Sequence, residues 1–164
     1  MKTGVTKTKS MASVLDKRIR ELADSEVLVG VPREGSQRQG AISNAALAYI
    51  HDNGAPEAGI PPRPFMKPGI KDASEKIKAH MKQAGQAALH GRAEAVERAF
   101  HAVGLTAVSS IQAVIRARIP PLLAESTLAA RRRRGRTGDV PLIDTGALIA
   151  ALTYVIRRKR REAR

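Results

Sequence analysis

The apolar positions of this chain recur mainly at helical spacing, and two short segments depart from that pattern. Apolar residues three or four apart predict a helix over about residues 11–23. Ser43 is a suitable N-cap for a second helix, which Gly54 ends by supplying a left-handed residue. Segments 26–32 and 151–157 are rich in β-branched and large apolar residues and predict two strands.

A helical pattern also runs from residue 70 to residue 119, but glycines interrupt it. Gly85, Gly91 and Gly104 each weaken a helix by about 1 kcal/mol relative to alanine. A break near Gly91 gives either a helical hairpin or one long kinked helix, and periodicity does not separate the two arrangements. A proline pair at 120–121 ends the region.

Shorter helices are indicated by residues that can cap them. Asp72 and Glu75 stand at capping-box spacing, with aspartate as a variant first residue. Ser126 can cap a short helix that ends in a run of arginines, and Asp144 or Thr145 can cap another just before the second strand.

The two predicted strands lie far apart in the sequence, so they must pair with each other or with a partner. A two-stranded sheet alone is marginally stable in water, so helices must cover it or strands of neighbouring subunits must extend it. We therefore predict an α+β fold that is predominantly helical, with the central helical region packed on a small antiparallel sheet. We expect one domain over 11–157, a flexible basic segment at 1–10 and a basic tail at 158–164.

A stiff connector over 60–68 contains four prolines around Phe65, one of only two phenylalanines in the chain. Proline fixes the backbone, so the position of this ring is reproducible. Two readings remain open. The connector is either a surface loop that places its ring in the core of the same chain, or an anchor that inserts into a neighbouring subunit.

The net charge of +14 predicts an anionic partner, either nucleic acid or an acidic protein surface. No aromatic residues are interleaved with the basic runs, so a contact with nucleic acid would be made to backbone charge and not to bases. The alternative is a solvated basic face and tail. The candidate cations are Arg131, Arg132, Arg133, Arg134, Arg136, Arg157, Arg158, Lys159, Arg160 and Arg161.

Catalytic and metal-binding patterns are weak in this chain. The four histidines lack a ligand motif, and there is no cysteine. Asp144-Thr145-Gly146 is similar to an aspartic-protease loop, but that chemistry needs a second aspartate in a paired β-domain, so a helix cap is the better interpretation. We expect no enzymatic activity, no metal and no cofactor. The chain contains no stretch of 18 apolar residues, so the sequence predicts no membrane span. We expect a soluble intracellular protein.

Three segments, in this order, resemble the tail-completion or neck proteins of tailed bacteriophages, also described as virion morphogenesis or minor tail proteins. They are Leu47-Ala-Tyr-Ile-His-Asp-Asn-Gly54, Pro62-Arg-Pro-Phe-Met-Lys-Pro68 and Pro141-Leu-Ile-Asp-Thr-Gly-Ala-Leu148. Ser126-Thr-Leu-Ala-Ala-Arg-Arg132 is similar to the basic stretch that precedes the third segment in that family. The chain departs from the family at Asp52, where glutamate is usual, and at Asn53, where phenylalanine is usual.

The resemblance implies a structural virion protein at the head–tail junction, made in the cytoplasm of a bacterial host. It implies a homo-oligomer, with a hexameric ring set by the tail's six-fold symmetry, that contacts head–tail connector, tail terminator or tail tube proteins and packaged double-stranded DNA. The alternative is a basic protein that binds the DNA backbone without sequence preference. The residues expected at assembly contacts are Pro62, Arg63, Pro64, Phe65, Leu142, Asp144, Thr145 and Gly146.

Overall fold

A computed structural model describes residues 11–33 and 42–159. Within these residues the chain forms seven α-helices, one 3-10 turn and two strands, which confirms the predicted α+β fold. In chain order they are α1 (Met11–Ala23), β1 (Ser25–Gly30), α2 (Asn44–Asn53), the 3-10 turn (Pro56–Ala58), α3 (Met66–Asp72), α4 (Ser74–Leu89), α5 (Ala93–Arg116), α6 (Glu125–Arg133), α7 (Ala147–Ala150) and β2 (Thr153–Arg158).

The central helical region is a helical hairpin and not one long kinked helix, the two arrangements that periodicity did not separate. Helix α4 ends at Leu89, and Gly91 takes a left-handed φ of 70° before α5 begins at Ala93. Glycine adopts this conformation without the steric penalty of a β-carbon. The reversal packs α4 along α5.

Helix α5 is the centre of the fold, because α3, α4 and both strands pack against it. Its buried face contributes to two hydrophobic clusters, each built around one of the two phenylalanines. The first contains Phe65 with Ile111 and Ile115, and the second contains Phe100 with Ala84 and Ala99.

The two strands pair with each other in an antiparallel sheet, as predicted. Strand β2 extends one residue beyond its predicted end: Arg158 lies opposite Ser25, and the Lys159 amide donates to the Asp24 carbonyl at 2.6 Å. Arg158, which the prediction assigned to the basic tail, is therefore the last residue of β2. The predicted flexible segment at 1–10 and the last residues of the tail lie outside the described residues.

Of the N-caps predicted for α2, α4 and α6, the first is confirmed and the other two are wrong. The Ser43 hydroxyl accepts from the Ala46 amide at 3.2 Å, as expected for the N-cap of α2. Asp72 lies inside α3, and α4 follows after a single helical residue, so Asp72 cannot take the extended conformation of a cap. Ser126 lies in the first turn of α6, whose N-cap position is taken by Ala124.

Close packing against α5 depends on glycine at two positions. A β-carbon at Gly69 would lie 2.6 Å from the Ile111 Cα atom, and one at Gly104 would lie 2.2 Å from the Tyr154 ring. Both distances are shorter than a real contact allows. Helix α3 and strand β2 can therefore approach α5 this closely only because these positions lack a side chain.

We expect Gly69→Ala to lower the free energy of unfolding by about 1–3 kcal/mol, because the new methyl group meets the backbone of α5. Gly85→Ala is the matched control: Gly85 lies inside α4, and a β-carbon there would have no neighbour within 4 Å, so helix propensity should raise stability by about 0.5–1 kcal/mol. Urea unfolding of both variants checks this. Equal effects of the two substitutions would contradict the packing argument.

Candidate functional site

The proline connector alternates between buried and exposed side chains, as an extended backbone does. Arg63 and Phe65 are buried, whereas Pro62 and Pro64 are exposed. Phe65 is 0% exposed and packs within the core of its own chain. The expectation that Phe65 inserts into a neighbouring subunit is therefore wrong for this fold, and the other reading, a ring placed in the chain's own core, is confirmed.

Asp52 fixes the end of the connector where α3 begins. Its Oδ1 atom accepts hydrogen bonds from the amides of Phe65 at 2.7 Å and of Met66 at 3.0 Å. Phe65 is the N-cap residue of α3 and has no side-chain acceptor of its own, so Asp52 performs the capping from the end of α2. This contact joins the first and second of the three segments that resemble phage neck proteins.

Arg63 ties the same connector to the proline turn after α5. The guanidinium is buried and donates to the carbonyl oxygens of Pro121 at 2.9 Å and Leu122 at 3.3 Å. Burial lowers the pKa of the Arg63 guanidinium below its ordinary value. The side chain nevertheless keeps its charge at neutral pH, because arginine does not lose its proton in proteins.

Arg131 of α6 plays a similar part beside the third segment. It is only 7% exposed and donates through Nη1 to the carbonyls of Gly138 at 2.8 Å and Val140 at 3.2 Å. Its Nε lies 3.5 Å from one carboxylate oxygen of Asp144, and Arg136 donates to the other oxygen. Asp144 therefore forms ion pairs with two arginines and accepts a hydrogen bond from Arg136.

The cap predicted at Asp144 is therefore wrong. The N-cap position of α7 belongs to Gly146, with a left-handed φ of 79°, while the Thr145 hydroxyl accepts from the Ala147 amide at 3.3 Å. Leu142 also has a positive φ of 65° and packs against the cluster around Phe65. Of the predicted assembly residues, Pro62, Pro64, Asp144 and Thr145 are exposed.

The ten candidate cations divide into three groups. Some have partners within the chain: Arg131 and Arg136 share Asp144, Arg132 pairs with Glu125, and Arg157 pairs with Glu26. Others have exposed side chains that make no hydrogen bond or ion pair with the described residues: Arg133, Arg134, Arg158 and Lys159. Arg160 and Arg161 lie outside the described residues.

Sequence reasoning missed a groove of about 510 Å³ between α1, the α4–α5 turn and β2. Arg18 and Arg92 line it beside Arg157 and Arg158, together with Glu21 and Glu97 and with apolar side chains that include Phe100. No local sequence signal could have found it, because its arginines come from three separate elements.

The histidines do not form a metal centre in the described part of the chain. The break between α4 and α5 places His90 and His101 on different elements, and His101 lies edge-on to Tyr154 with its Nδ1 atom 2.9 Å from the phenol oxygen. Among residues 11–33 and 42–159 no group of three or more histidine, cysteine, aspartate or glutamate side chains could hold a metal ion. The helices of this same part are too short or too polar to cross a membrane.

Comparison of the chain with protein-family models, with curated proteins and with solved structures found no match. The resemblance to phage neck proteins therefore stays a prediction that rests on the quoted segments.

We expect Arg131→Ala to lower the free energy of unfolding by about 3 kcal/mol, because it leaves two carbonyls without their donor and removes one of the two arginines beside Asp144. Arg133→Ala removes the same side chain from the same helix, but from an exposed position. It should change stability by less than about 0.5 kcal/mol. Urea unfolding gives the midpoint of each variant. Similar midpoints for the two variants would show that Arg131 is not a structural residue.

Proposed function

We propose that this chain is a structural subunit of the head–tail junction of a tailed bacteriophage, acting as a homo-oligomeric ring through which DNA passes. The observation that carries the proposal is that the three resembling segments meet around one core. Asp52 of the first segment caps the helix that begins after Phe65 of the second, and Leu142 and Leu148 of the third pack in the cluster around that ring.

This convergence supports the resemblance because short matches that arise by chance need not contact one another. It also assigns a physical role to the polar residues of the segments. Asp52, Arg63 and Asp144 all have hydrogen-bond or ion-pair partners that hold loops and helix ends in place. Such a use suits a building block, in which the polar residues of these segments maintain shape.

The exposed cations fit the same role. In a ring of subunits, exposed arginines and lysines that face the lumen would lower the electrostatic cost of placing DNA there, and those that face outward would attract acidic surfaces of neighbouring virion proteins. Head–tail connector, tail terminator and tail tube proteins are the proposed neighbours, and the virion is the proposed location.

Interrupting the gene in the phage or prophage that carries it tests the proposal. We expect DNA-filled heads and separate tails to accumulate in place of complete particles, because the joint between them lacks a subunit. Electron microscopy and plaque counts measure this, and the intact gene supplied on a plasmid is the control that should restore infectivity. Complete, infectious particles in the absence of the protein would refute the proposal.

A second candidate function is binding to the DNA backbone without sequence preference. The exposed and unpaired side chains of Arg133, Arg134, Arg158 and Lys159 favour it. A protein with this function binds free duplexes of unrelated sequence equally and loses affinity steeply with salt. A ring subunit can instead bind free DNA poorly and yet remain in purified particles.

For this candidate we expect the double variant R133A/R134A to reduce the slope of log affinity against log salt concentration by about 1.8, since each phosphate contact contributes about 0.9. K76A/K78A removes the same charge from α4 and should change the slope less. Titrations of labelled duplexes at several salt concentrations measure the slopes. Equal slopes for the two variants, or affinities that depend on base sequence, would contradict a contact through α6.

A further inference from the structure

The outer edges of the two-stranded sheet have no backbone partner in the described part of the chain. The Lys159 amide donates to the Asp24 carbonyl, and hydrogen-bonded pairs alternate along an antiparallel ladder. The backbone groups of Val27 and Val29 in β1, and of Tyr154 and Ile156 in β2, therefore point away from the partner strand. Both edges offer donors and acceptors to a further strand.

Within residues 11–33 and 42–159, one face of the sheet is also left largely exposed. The side chains of Val27 and Ile156 pack against the cluster around Phe100, whereas Leu28 and Val155 lie opposite each other on the other face. Leu28 is 40% exposed and Val155 is 54% exposed. An apolar pair beside two open edges is a surface on which an added strand would find both backbone partners and apolar contacts.

The charges of the two strands differ in sign. Asp24 and Glu26 lie at the start of β1, which carries no cation, whereas Arg157, Arg158 and Lys159 follow one another at the end of β2. Pairing β2 with β2 of a second copy would bring both sets of cations into one ribbon. Pairing β1 of one copy with β2 of the next would place acidic against basic side chains.

We propose that copies of this chain assemble head to tail, with β1 of one copy pairing antiparallel to β2 of the next in the register found within the chain. The inference rests on the proposed function and identifies its subunit contact. In this register each Glu26 would lie between its own Arg157 and that of the neighbour, so opposite charges would alternate across the sheet. Leu28 and Val155 would continue as an apolar row beside them.

A contact between two different edges is heterologous, so an open chain of subunits keeps one free β1 edge and one free β2 edge at its two ends until it closes. Such a contact forms a closed ring when the rotation from one copy to the next is a full turn divided by a whole number. Pairing of β1 with β1 would instead produce a two-fold dimer in which both β2 edges stay open. The charge pattern disfavours that arrangement because it brings the acidic side chains of two β1 strands together and adds no acidic neighbour at the outer edge of the basic strand.

The test uses the double variant E26R/R157E, which exchanges the two charges and keeps the ion pair within the chain. This variant and the wild-type chain should each form the same oligomer. The fraction of oligomers that contain both chains should be about tenfold or more below the fraction expected for random mixing. The reason is that every contact between a variant and a wild-type copy would place like charges opposite each other. Native mass spectrometry measures the mixing, with heavy nitrogen in one chain because the two have identical composition.

E75K/K78E is the matched control. It exchanges the charges of an exposed ion pair on α4 and should mix freely with the wild-type chain. Statistical mixing of E26R/R157E with the wild-type chain would overturn the strand pairing, as would a strict dimer or a wild-type chain that stays monomeric over a dilution series. The gene interruption tests the proposed function separately, because it can still separate heads from tails if these outcomes occur.

If E26R/R157E does not fold, Val155→Lys decides the question. The substitution is on the exposed face of β2, so the unfolding midpoint should be unchanged at a concentration where both chains are monomeric, but a charge would interrupt the apolar row between copies. Loss of the oligomer at unchanged stability supports the pairing. If the variant oligomer persists and dissociates on dilution over the same concentration range as the wild-type oligomer, the proposed strand pairing is overturned.

Discussion

The fold depends on burying one face of α5 with very few large side chains. The chain has only two phenylalanines and no tryptophan, and each phenylalanine forms the centre of a separate small cluster along α5. Clusters of this size exclude water only if the surrounding elements come close. Gly69 and Gly104 permit that approach, since a β-carbon at either position would overlap its neighbour. Because the chain has few aromatic residues to fill its core, the core is instead closed by backbone that packs directly against side chains.

Polar contacts hold together the loops that these clusters do not reach. Arg63 and Arg131 are buried, and each donates to two backbone carbonyls of a segment distant from its own helix or connector. A buried guanidinium is tolerated because its several donors are satisfied, and in return it fixes two carbonyls that would otherwise lack partners. Part of the high positive charge of the chain therefore has a structural use, and the net charge overstates what is available to DNA.

The sequence predicted most features that depend on near neighbours, apart from the caps at Asp72 and Ser126, and missed contacts between residues that are brought together by folding. The helix over 11–23, the Ser43 cap and both strands follow from spacing and local conformation. Asp144 was predicted to cap a helix because aspartate commonly does so, but Arg131 and Arg136 lie close enough to take its carboxylate. The groove beside β2 and the capping of α3 by Asp52 were missed for the same reason, because the partners meet only after the chain has folded.

The small sheet connects the internal packing to assembly. Its inner face is bound to α5, so the strands are held in place although two strands alone are marginally stable. Holding them in place also leaves the same two edges and the same apolar pair, Leu28 and Val155, presented on every copy. In the proposed assembly, edges of opposite charge favour a directional contact over a symmetric one, because only the directional contact brings unlike charges together at each step. The proposed ring is the closed form of that contact, in which every strand edge has a partner strand.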